Sequence, residues 1–104
     1  MLSIEINTKE KVQQIKLSGE LTGLAALEFR KKIVSVLEEK TSSIVLDMKN
    51  INELDLTGFN AVVMLKSTAE ARNKTFSMVI SAHSPITEYI HMSKLNLNQN
   101  VSSI

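Results

Sequence analysis

The chain has 104 residues, of which 43% are hydrophobic and 22% are charged, a balance typical of a soluble globular protein. This length is that of one domain, so we expect a single domain over residues 1–104. Twelve basic residues oppose eleven acidic ones, and a net charge of +1 gives no strong field for nucleic acid or anionic lipid. The absence of cysteine excludes disulfides, zinc–thiolate sites and thiol chemistry.

The N-terminus carries no cationic segment followed by an apolar run, so no export signal is predicted. No uninterrupted apolar stretch approaches the length of about 18 residues that a membrane span needs. A cytoplasmic protein is the simplest interpretation.

The first residues predict a β-hairpin. Ile4 and Ile6 alternate with polar side chains, and Ile15 and Leu17 do the same beyond a polar break at residues 8–11. Two alternating runs across a short polar break are typical of two antiparallel strands.

A helix is predicted next, over about residues 23–40, after Gly19 ends the hairpin. Its apolar residues recur at three- and four-residue spacing, as on one face of a helix. The Thr22 hydroxyl is the expected N-cap, because it can accept a free backbone N–H of the first turn. The apolar positions are Ala26, Phe29, Ile33, Val36 and Leu37.

Residues 44–48 are nearly all apolar and predict a strand buried on both faces. Residues 49–53 are expected to form a polar loop. A second helix is predicted from about Asp55 to Asn73, with Asp55 as its N-cap. Thr57 is the alternative cap. The core-facing stripe of this helix is Gly58, Ala61, Val62, Leu65 and Ala69.

The last third predicts another buried strand over residues 75–80 and a third helix opened by Ser-Pro at residues 84–85. Leu95 and Leu97 are candidates for a short edge strand, and residues 98–104 are expected to fray. The apolar face of the third helix is Ile86, Tyr89 and Ile90.

Strand–helix–strand units place their strands parallel through right-handed crossovers, and the opening hairpin adds one antiparallel pair. We therefore predict an α/β fold in which helices cover one mixed sheet of four to five strands with an N-terminal β-hairpin.

The arrangements typical of enzymes are absent. His83 and His91 are eight residues apart, which does not fit two ligands on adjacent helical turns, so surface histidines are expected and no metal is predicted. The chain has only three glycines, so no phosphate-cradling loop exists. No serine lies in a Gly-flanked nucleophile turn. We predict no catalytic residue, no enzyme activity and no cofactor.

The segment at residues 50–59 joins a predicted buried strand to a helix N-terminus. A hydroxyl there lies beside unpaired backbone N–H groups and the positive end of the helix dipole. A phosphate on Thr57 would gain hydrogen bonds from those groups, while Asp55 would oppose it by like-charge repulsion. The simpler interpretation is that Thr57 only caps the helix.

The outer side of the same helix carries apolar residues where a solvated helix prefers charge. At 100° per residue, Leu56 and Val63 fall opposite the core stripe together with polar neighbours. Such a patch suggests a docking surface, unless a loop or a neighbouring helix covers it. Its members are Leu56, Asn60, Val63 and Ser67, flanked by Phe59 and Met64.

Three segments resemble a STAS domain of the bacterial anti-sigma factor antagonist type. They are Leu-Ser-Gly-Glu-Leu at 17–21, Ile-Val-Leu-Asp at 44–47 and, above all, Asp-Leu-Thr-Gly-Phe at 55–59. The order of predicted elements agrees, and the resemblance covers nearly the whole chain.

This resemblance implies a partner-switching mechanism rather than catalysis. An anti-sigma factor with serine/threonine kinase activity would phosphorylate the antagonist and be released by it. A PP2C-type phosphatase would restore the hydroxyl, and the dephosphorylated form would capture the anti-sigma factor and free the sigma factor. No direct contact with nucleic acid or membrane is implied.

Carried over by position, Thr57 is the implied phosphorylation site, and Asp55 orients its hydroxyl or sets kinase specificity. Gly58 permits close backbone approach. The chain departs from the family pattern at three positions: Leu56 replaces a serine, Asn60 replaces a glycine, and Thr22 stands where an aspartate is common. The implied partner-binding residues are Thr22, Asp55, Leu56, Gly58, Phe59, Asn60 and Val63.

Two alternatives stay open. One is a STAS subunit of a lipid-transport or signalling assembly that is not phosphorylated, which the departures at Leu56 and Asn60 allow. The other is a small enzyme or metal-binding protein, with His83 and His91 as its only support.

Overall fold

The computed structural model describes residues 1–102 as five strands and three helices. The strands are β1 (Ser3–Lys9), β2 (Val12–Leu21), β3 (Ser43–Leu54), β4 (Thr75–Ser81) and β5 (Gln99–Ser102). The helices are α1 (Gly23–Val36), α2 (Leu56–Ala71) and α3 (Ile86–Ser93).

The strands form one mixed sheet in the order β1-β2-β3-β4-β5. β1 and β2 are antiparallel, and every other neighbouring pair is parallel. The predicted α/β fold with an N-terminal hairpin is confirmed. The hairpin turn takes only two residues, Glu10 and Lys11, because Lys9 already pairs with Val12. Glu10 adopts a left-handed φ of 57° in this turn.

The helices cover one face of the sheet, since each parallel crossover advances to the next strand in the same direction. On the covered face, Ile15, Leu46 and Met78 stand side by side across β2, β3 and β4, and all are fully buried. On the other face, Val45 and Val79 are partly exposed. The prediction that β3 and β4 are buried on both faces is therefore wrong.

β3 is also longer than predicted, because residues 49–53 continue the strand instead of forming a loop. They pair with the end of β2, where Gly19 lies beside Ile51 and Leu21 beside Leu54, with irregular register. Gly19 does not end the hairpin. Its φ of +103° lets β2 bend and continue to Leu21.

α1 buries its predicted face but ends at Val36 rather than near residue 40. The cause is Gln13, which is fully buried on β2. Its side-chain amide donates to the Val36 carbonyl at 2.6 Å, and its Oε1 accepts the Glu38 N–H at 3.1 Å. These bonds replace the next helical hydrogen bonds, so the chain turns away from the helix axis.

α2 is confirmed, with its whole predicted stripe buried. Asp55 is its N-cap, because its carboxylate accepts the Gly58 N–H, so the alternative cap Thr57 is wrong. α3 begins at Ile86, directly after the predicted Ser-Pro pair.

The edge strand lies later than predicted. Leu97 is fully buried, and residues 99–102 pair with β4 as β5. The Asn98 side chain donates to the Phe76 carbonyl at 2.9 Å and anchors the entry to this strand. The expected fraying from residue 98 is therefore wrong as far as residue 102. Residues 103–104 lie outside the described residues.

No helix within residues 1–102 is long and apolar enough to cross a membrane.

Candidate functional site

Two helices begin at the same edge of the sheet. β2 and β3 are neighbours, and their last residues, Leu21 and Leu54, pair directly. α1 starts two residues after Leu21 and α2 starts two residues after Leu54, so their N-terminal turns are adjacent. This edge carries the segment 55–59 that the sequence singled out.

One carboxylate serves both helix starts. Asp55 Oδ1 accepts the Gly58 N–H of α2 at 2.8 Å, and Asp55 Oδ2 accepts the Gly23 N–H of α1 at 3.0 Å. Both bonds lower the pKa of the Asp55 carboxyl below its ordinary value of 3.8, and the bond from Gly23 has the larger effect. Desolvation raises the same pKa, but by less. The carboxylate is therefore ionised at neutral pH and complements two helix dipoles.

Thr22 precedes α1, but its hydroxyl makes no capping bond. Thr22 is the N-cap residue of α1, as predicted, but the predicted bond from its hydroxyl is not made, and the Asp55 carboxylate instead accepts the Gly23 N–H of the first turn. Thr22 itself is partly exposed at the rim of the site.

Thr57 is the second residue of α2 and is partly exposed. Within residues 1–102, the structure gives its hydroxyl no hydrogen-bond partner, while its backbone N–H lies near the Asp55 carboxylate. The hydroxyl is thus placed at the N-terminus of α2, where the positive end of the helix dipole would stabilise a phosphate, although the Asp55 carboxylate already accepts the Gly58 N–H.

Gly58 serves an internal contact rather than approach by a partner. A Cβ at this position would lie far inside van der Waals contact with the Leu21 carbonyl oxygen and 2.7 Å from Leu54 Cδ1. Only glycine lets the first turn of α2 pack this closely on the end of β2.

Phe59 also lies beneath the surface. It is 6% exposed, and its ring stacks on Tyr89 of α3 with centroids 5.3 Å apart. The Tyr89 hydroxyl reaches the Leu54 carbonyl at 3.5 Å. The prediction that Phe59 belongs to the docking face is corrected, because α3 covers it.

The predicted patch on the outer side of α2 is only partly open. Leu56 is 62% exposed, Asn60 and Ser67 are exposed, and Val63 and Met64 are partly exposed. A shallow groove of about 470 Å³ runs along this side. Residues 56–65 contain no charged side chain, so the charged groups of this surface come from neighbouring residues, namely the partly exposed Asp55 and Arg30 of α1, whose Nε lies 3.3 Å from the Met64 sulfur.

The exposed leucines of α1 were not predicted as part of the surface near Thr57. Leu24 is 76% exposed and Leu27 is 41% exposed, three residues apart on the outer side of that helix. The signal was present in their spacing, since two leucines at i and i+3 lie on one helix face outside the buried stripe.

Both histidines, His83 and His91, are exposed. Over the described part of the chain, no three His, Cys, Asp or Glu side chains come together in a group that could hold a metal ion.

The fold defines a single-sheet α/β domain with an N-terminal β-hairpin. Residues 4–96 match the family model described as Mlab, STAS domain. The chain therefore belongs to the STAS-domain family.

Solved structures agree on the fold. An anti-sigma factor antagonist from Mycobacterium paratuberculosis is similar with a TM-score of 0.80 at 14% identity, over 100% of this chain and 87% of that chain. The Bacillus cell fate determinant SpoIIAA in its phosphorylated form gives a TM-score of 0.72 at 18% identity, over 97% of this chain and 92% of that chain. SpoIIAA in its unphosphorylated form gives a TM-score of 0.69 at 16% identity, over 97% of this chain and 90% of that chain.

Proposed function

We propose that this protein is an anti-sigma factor antagonist whose binding is controlled by phosphorylation of Thr57. The observation that carries the proposal is a partly exposed hydroxyl at the second residue of α2, directly beside the exposed apolar side chain of Leu56. The structural likeness to anti-sigma factor antagonists supports the class of partner.

In the proposed cycle, the anti-sigma factor is also the kinase. The Thr57 Oγ1 attacks the γ-phosphorus of ATP, an O–P bond forms, the bond to the β-phosphate oxygen breaks, and ADP leaves. The hydroxyl proton passes to a base of the kinase. A PP2C-type phosphatase hydrolyses the phosphoester with water and restores the hydroxyl.

The electrostatics support a switch that leaves the domain folded. The phosphate adds a charge of about −1.5 to −2, which the positive end of the α2 dipole stabilises and the Asp55 carboxylate opposes. In a complex, the same charge would be buried beside the Asp55 carboxylate and the apolar side chain of Leu56. Burying an uncompensated charge is costly, so one phosphate is sufficient to dissolve the complex.

The proposed contact surface consists of exposed residues around Thr57, namely Leu56, Asn60 and Val63, with Thr22 and Asp55 at its rim. Gly58 and Phe59 support this surface from below, through the contacts with Leu21 and Tyr89. Leu56 and Asn60 differ from the family pattern, and we expect them to match a partner with a correspondingly altered surface.

The test begins with the intact mass of the protein purified from its own host, with and without phosphatase treatment. We expect one phosphate on part of the sample, mapped to Thr57. Thr57→Ala should abolish the modification and bind the anti-sigma factor of the same host constitutively, whereas Thr57→Ser should retain both states.

Thr68→Ala is the matched control, because Thr68 is a partly exposed threonine later on the same helix. It should leave phosphorylation and binding unchanged. Modification at Thr68 instead of Thr57, or equal binding by Thr57→Ala and a phosphorylated wild type, would refute the switch. Binding through Leu56 without any phosphate would instead indicate a STAS subunit that is not phosphorylated.

A further inference from the structure

The first turns of α1 and α2 are connected through the Asp55 side chain. Its two oxygens are divided between the helices, Oδ1 to Gly58 and Oδ2 to Gly23. An N-cap needs only one acceptor oxygen. The second oxygen is therefore available for a task beyond capping, and it binds a residue 32 positions away in the chain.

The start of α1 has little other support. The Thr22 hydroxyl makes no cap bond, and the first turn contains no acidic residue. Gly23 is exposed, with a left-handed φ of 51° and open space around its Cα. Among residues 1–102, the Asp55–Gly23 bond is therefore the hydrogen bond that joins this first turn to the start of α2.

Exposed leucines follow both ends of this bridge. Leu24 comes directly after Gly23, and Leu56 comes directly after Asp55. They are 76% and 62% exposed, and Leu27 adds a third apolar side chain one turn further along α1. Because Gly23 and Asp55 are hydrogen bonded, the two leucines emerge from neighbouring points of the surface.

We propose that Asp55 is a positioning residue that joins the two helix starts, so that Leu24, Leu27 and Leu56 form one docking surface for the protein that recognises Thr57. We call these three leucines the leucine surface. The identity of that partner rests on the proposed function, whereas the bridge itself does not.

The charges beside the leucine surface indicate the chemistry of the partner. Glu28 follows Leu27 directly and lines a pocket with Leu24 on the side of α1 that faces Leu2 and Ile4. Arg30 and Lys31 come next, and Arg30 Nε lies 3.3 Å from the Met64 sulfur of α2. Neither cation has a carboxylate within ion-pair distance among residues 1–102. The partner should therefore present an apolar contact with carboxylates on the side that meets Arg30, between α1 and α2.

Asp55→Asn separates the bridge from the cap. Asparagine caps helices about as well as aspartate, so its one oxygen can keep the Gly58 bond and the stability of α2. Its amide nitrogen carries hydrogens and cannot accept the Gly23 N–H. The variant should therefore fold normally and lose only the link to α1.

The three glycines of the chain make this measurable. In protein labelled with ¹⁵N-glycine, Gly23 and Gly58 report on the two oxygens of Asp55, and Gly19 on β2 is an internal control. In Asp55→Asn we expect the Gly23 amide resonance to move and its hydrogen exchange to become roughly fivefold faster, the loss of one hydrogen bond. The Gly58 and Gly19 amides should keep their exchange rates.

Binding to the anti-sigma factor of the same host tests the leucine surface. Asp55→Asn and Leu24→Ser should each weaken binding by roughly tenfold, and the double variant should weaken it by much less than the product, because both act on one surface. Leu95→Ser is the control, since Leu95 is an exposed leucine after α3, outside this surface.

The outcomes distinguish the two proposals. An unchanged Gly23 amide in Asp55→Asn overturns the bridge. A changed Gly23 amide with wild-type binding by both single variants overturns the leucine surface. A changed Gly23 amide in a protein that never carries phosphate on Thr57 supports the bridge and counts against the proposed switch.

Discussion

The two ends of α1 are held in different ways. At its start, which we call the helix-start region, the Gly23 N–H is held by a single carboxylate at an exposed position. At its end, which we call the helix-end region, Gln13 binds the Val36 carbonyl and Lys74 binds the carbonyls of Glu38 and Thr41. Arg72 adds a bond to the Val34 carbonyl at 3.3 Å.

Both regions obey the same electrostatic rule, since an anion meets the N-terminus of α1 and cations meet its C-terminus. They differ in burial. Gln13 and Lys74 are buried, and their bonds are shielded from water. The helix-end region therefore fixes α1 to the sheet, while the exposed hydrogen bond of the helix-start region can break at a smaller cost in free energy. This difference agrees with the placement of the proposed switch.

Gly58→Ala should be the most damaging change, because it breaks the packing on which the helix-start region is built. The new Cβ meets the Leu21 carbonyl and Leu54 Cδ1, and a backbone atom cannot move aside easily. We expect a loss of about 3 kcal/mol in the free energy of unfolding, measured by urea denaturation. Asn60→Ala, on the exposed side of the same helix, should change it by less than about 0.5 kcal/mol. Equal stability of the two variants would contradict this account.

Lys74→Met tests the helix-end region. Lys74 is 6% exposed, and its ammonium donates to the Glu38 carbonyl at 2.6 Å, to the Thr41 carbonyl and to the Thr41 hydroxyl at 3.1 Å. Removing a charged donor leaves buried carbonyls unpaired, so we expect a loss of about 2–3 kcal/mol.

Lys66→Met is the control for Lys74, because Lys66 pairs with Glu70 one turn away on the surface of α2. This substitution should lower the free energy of unfolding by about 0.5 kcal/mol or less. If Lys66→Met proved as destabilising as Lys74→Met in thermal and urea unfolding, burial would not be what distinguishes the two lysines.

Gln13→Leu tests whether the hydrogen bonds of Gln13 at the C-terminus of α1 contribute to the free energy of unfolding. Leucine has a similar size but leaves the Val36 carbonyl and the Glu38 N–H without their buried partner. We expect a loss of about 2 kcal/mol. Gln14→Leu, the exposed neighbour on the opposite face of β2, should be near neutral, and comparable losses in both variants would argue against the role of Gln13.

Lowering the pH should weaken the helix-start region through protonation of Asp55, and we expect the resulting loss of stability to be the smallest of those predicted. Because its folded pKa lies below 3.8, the Asp55 carboxylate stabilises the fold at pH values above the unfolded pKa. That contribution is lost as the pH falls through the folded pKa. The stability difference between wild type and Asp55→Asn should therefore stay constant above about pH 5 and shrink as the pH falls below it. A difference that persists unchanged at pH 2 would exclude the carboxylate as its source.

Much of the fold followed from local patterns. The alternation around Ile4 and Ile15 predicted the hairpin, and three-to-four spacing predicted α1 and α2 with their buried faces. The boundaries were less accurate where a distant side chain decided them. α1 ended early because Gln13 takes its last carbonyl, and β3 continued through polar residues because β2 was there to pair with them.

The candidate site was predicted in part. Asp55 was correctly expected to cap α2, because capping depends on residues only three positions apart. Local patterns could not predict that α3 covers Phe59 or that Gly58 packs on Leu21, because both contacts join distant segments. The role of Thr57 stays a prediction, placed on a side chain that is partly exposed.

The order of residues by itself determined the three helices and the cores of the first four strands, because apolar spacing and capping chemistry act over a few positions. Tertiary structure alone decided that all three helices cover the same sheet face and that Asp55 also holds Gly23, 32 residues earlier in the chain. The physical reason is that local periodicity specifies which side of a segment is buried, but not which distant group meets it.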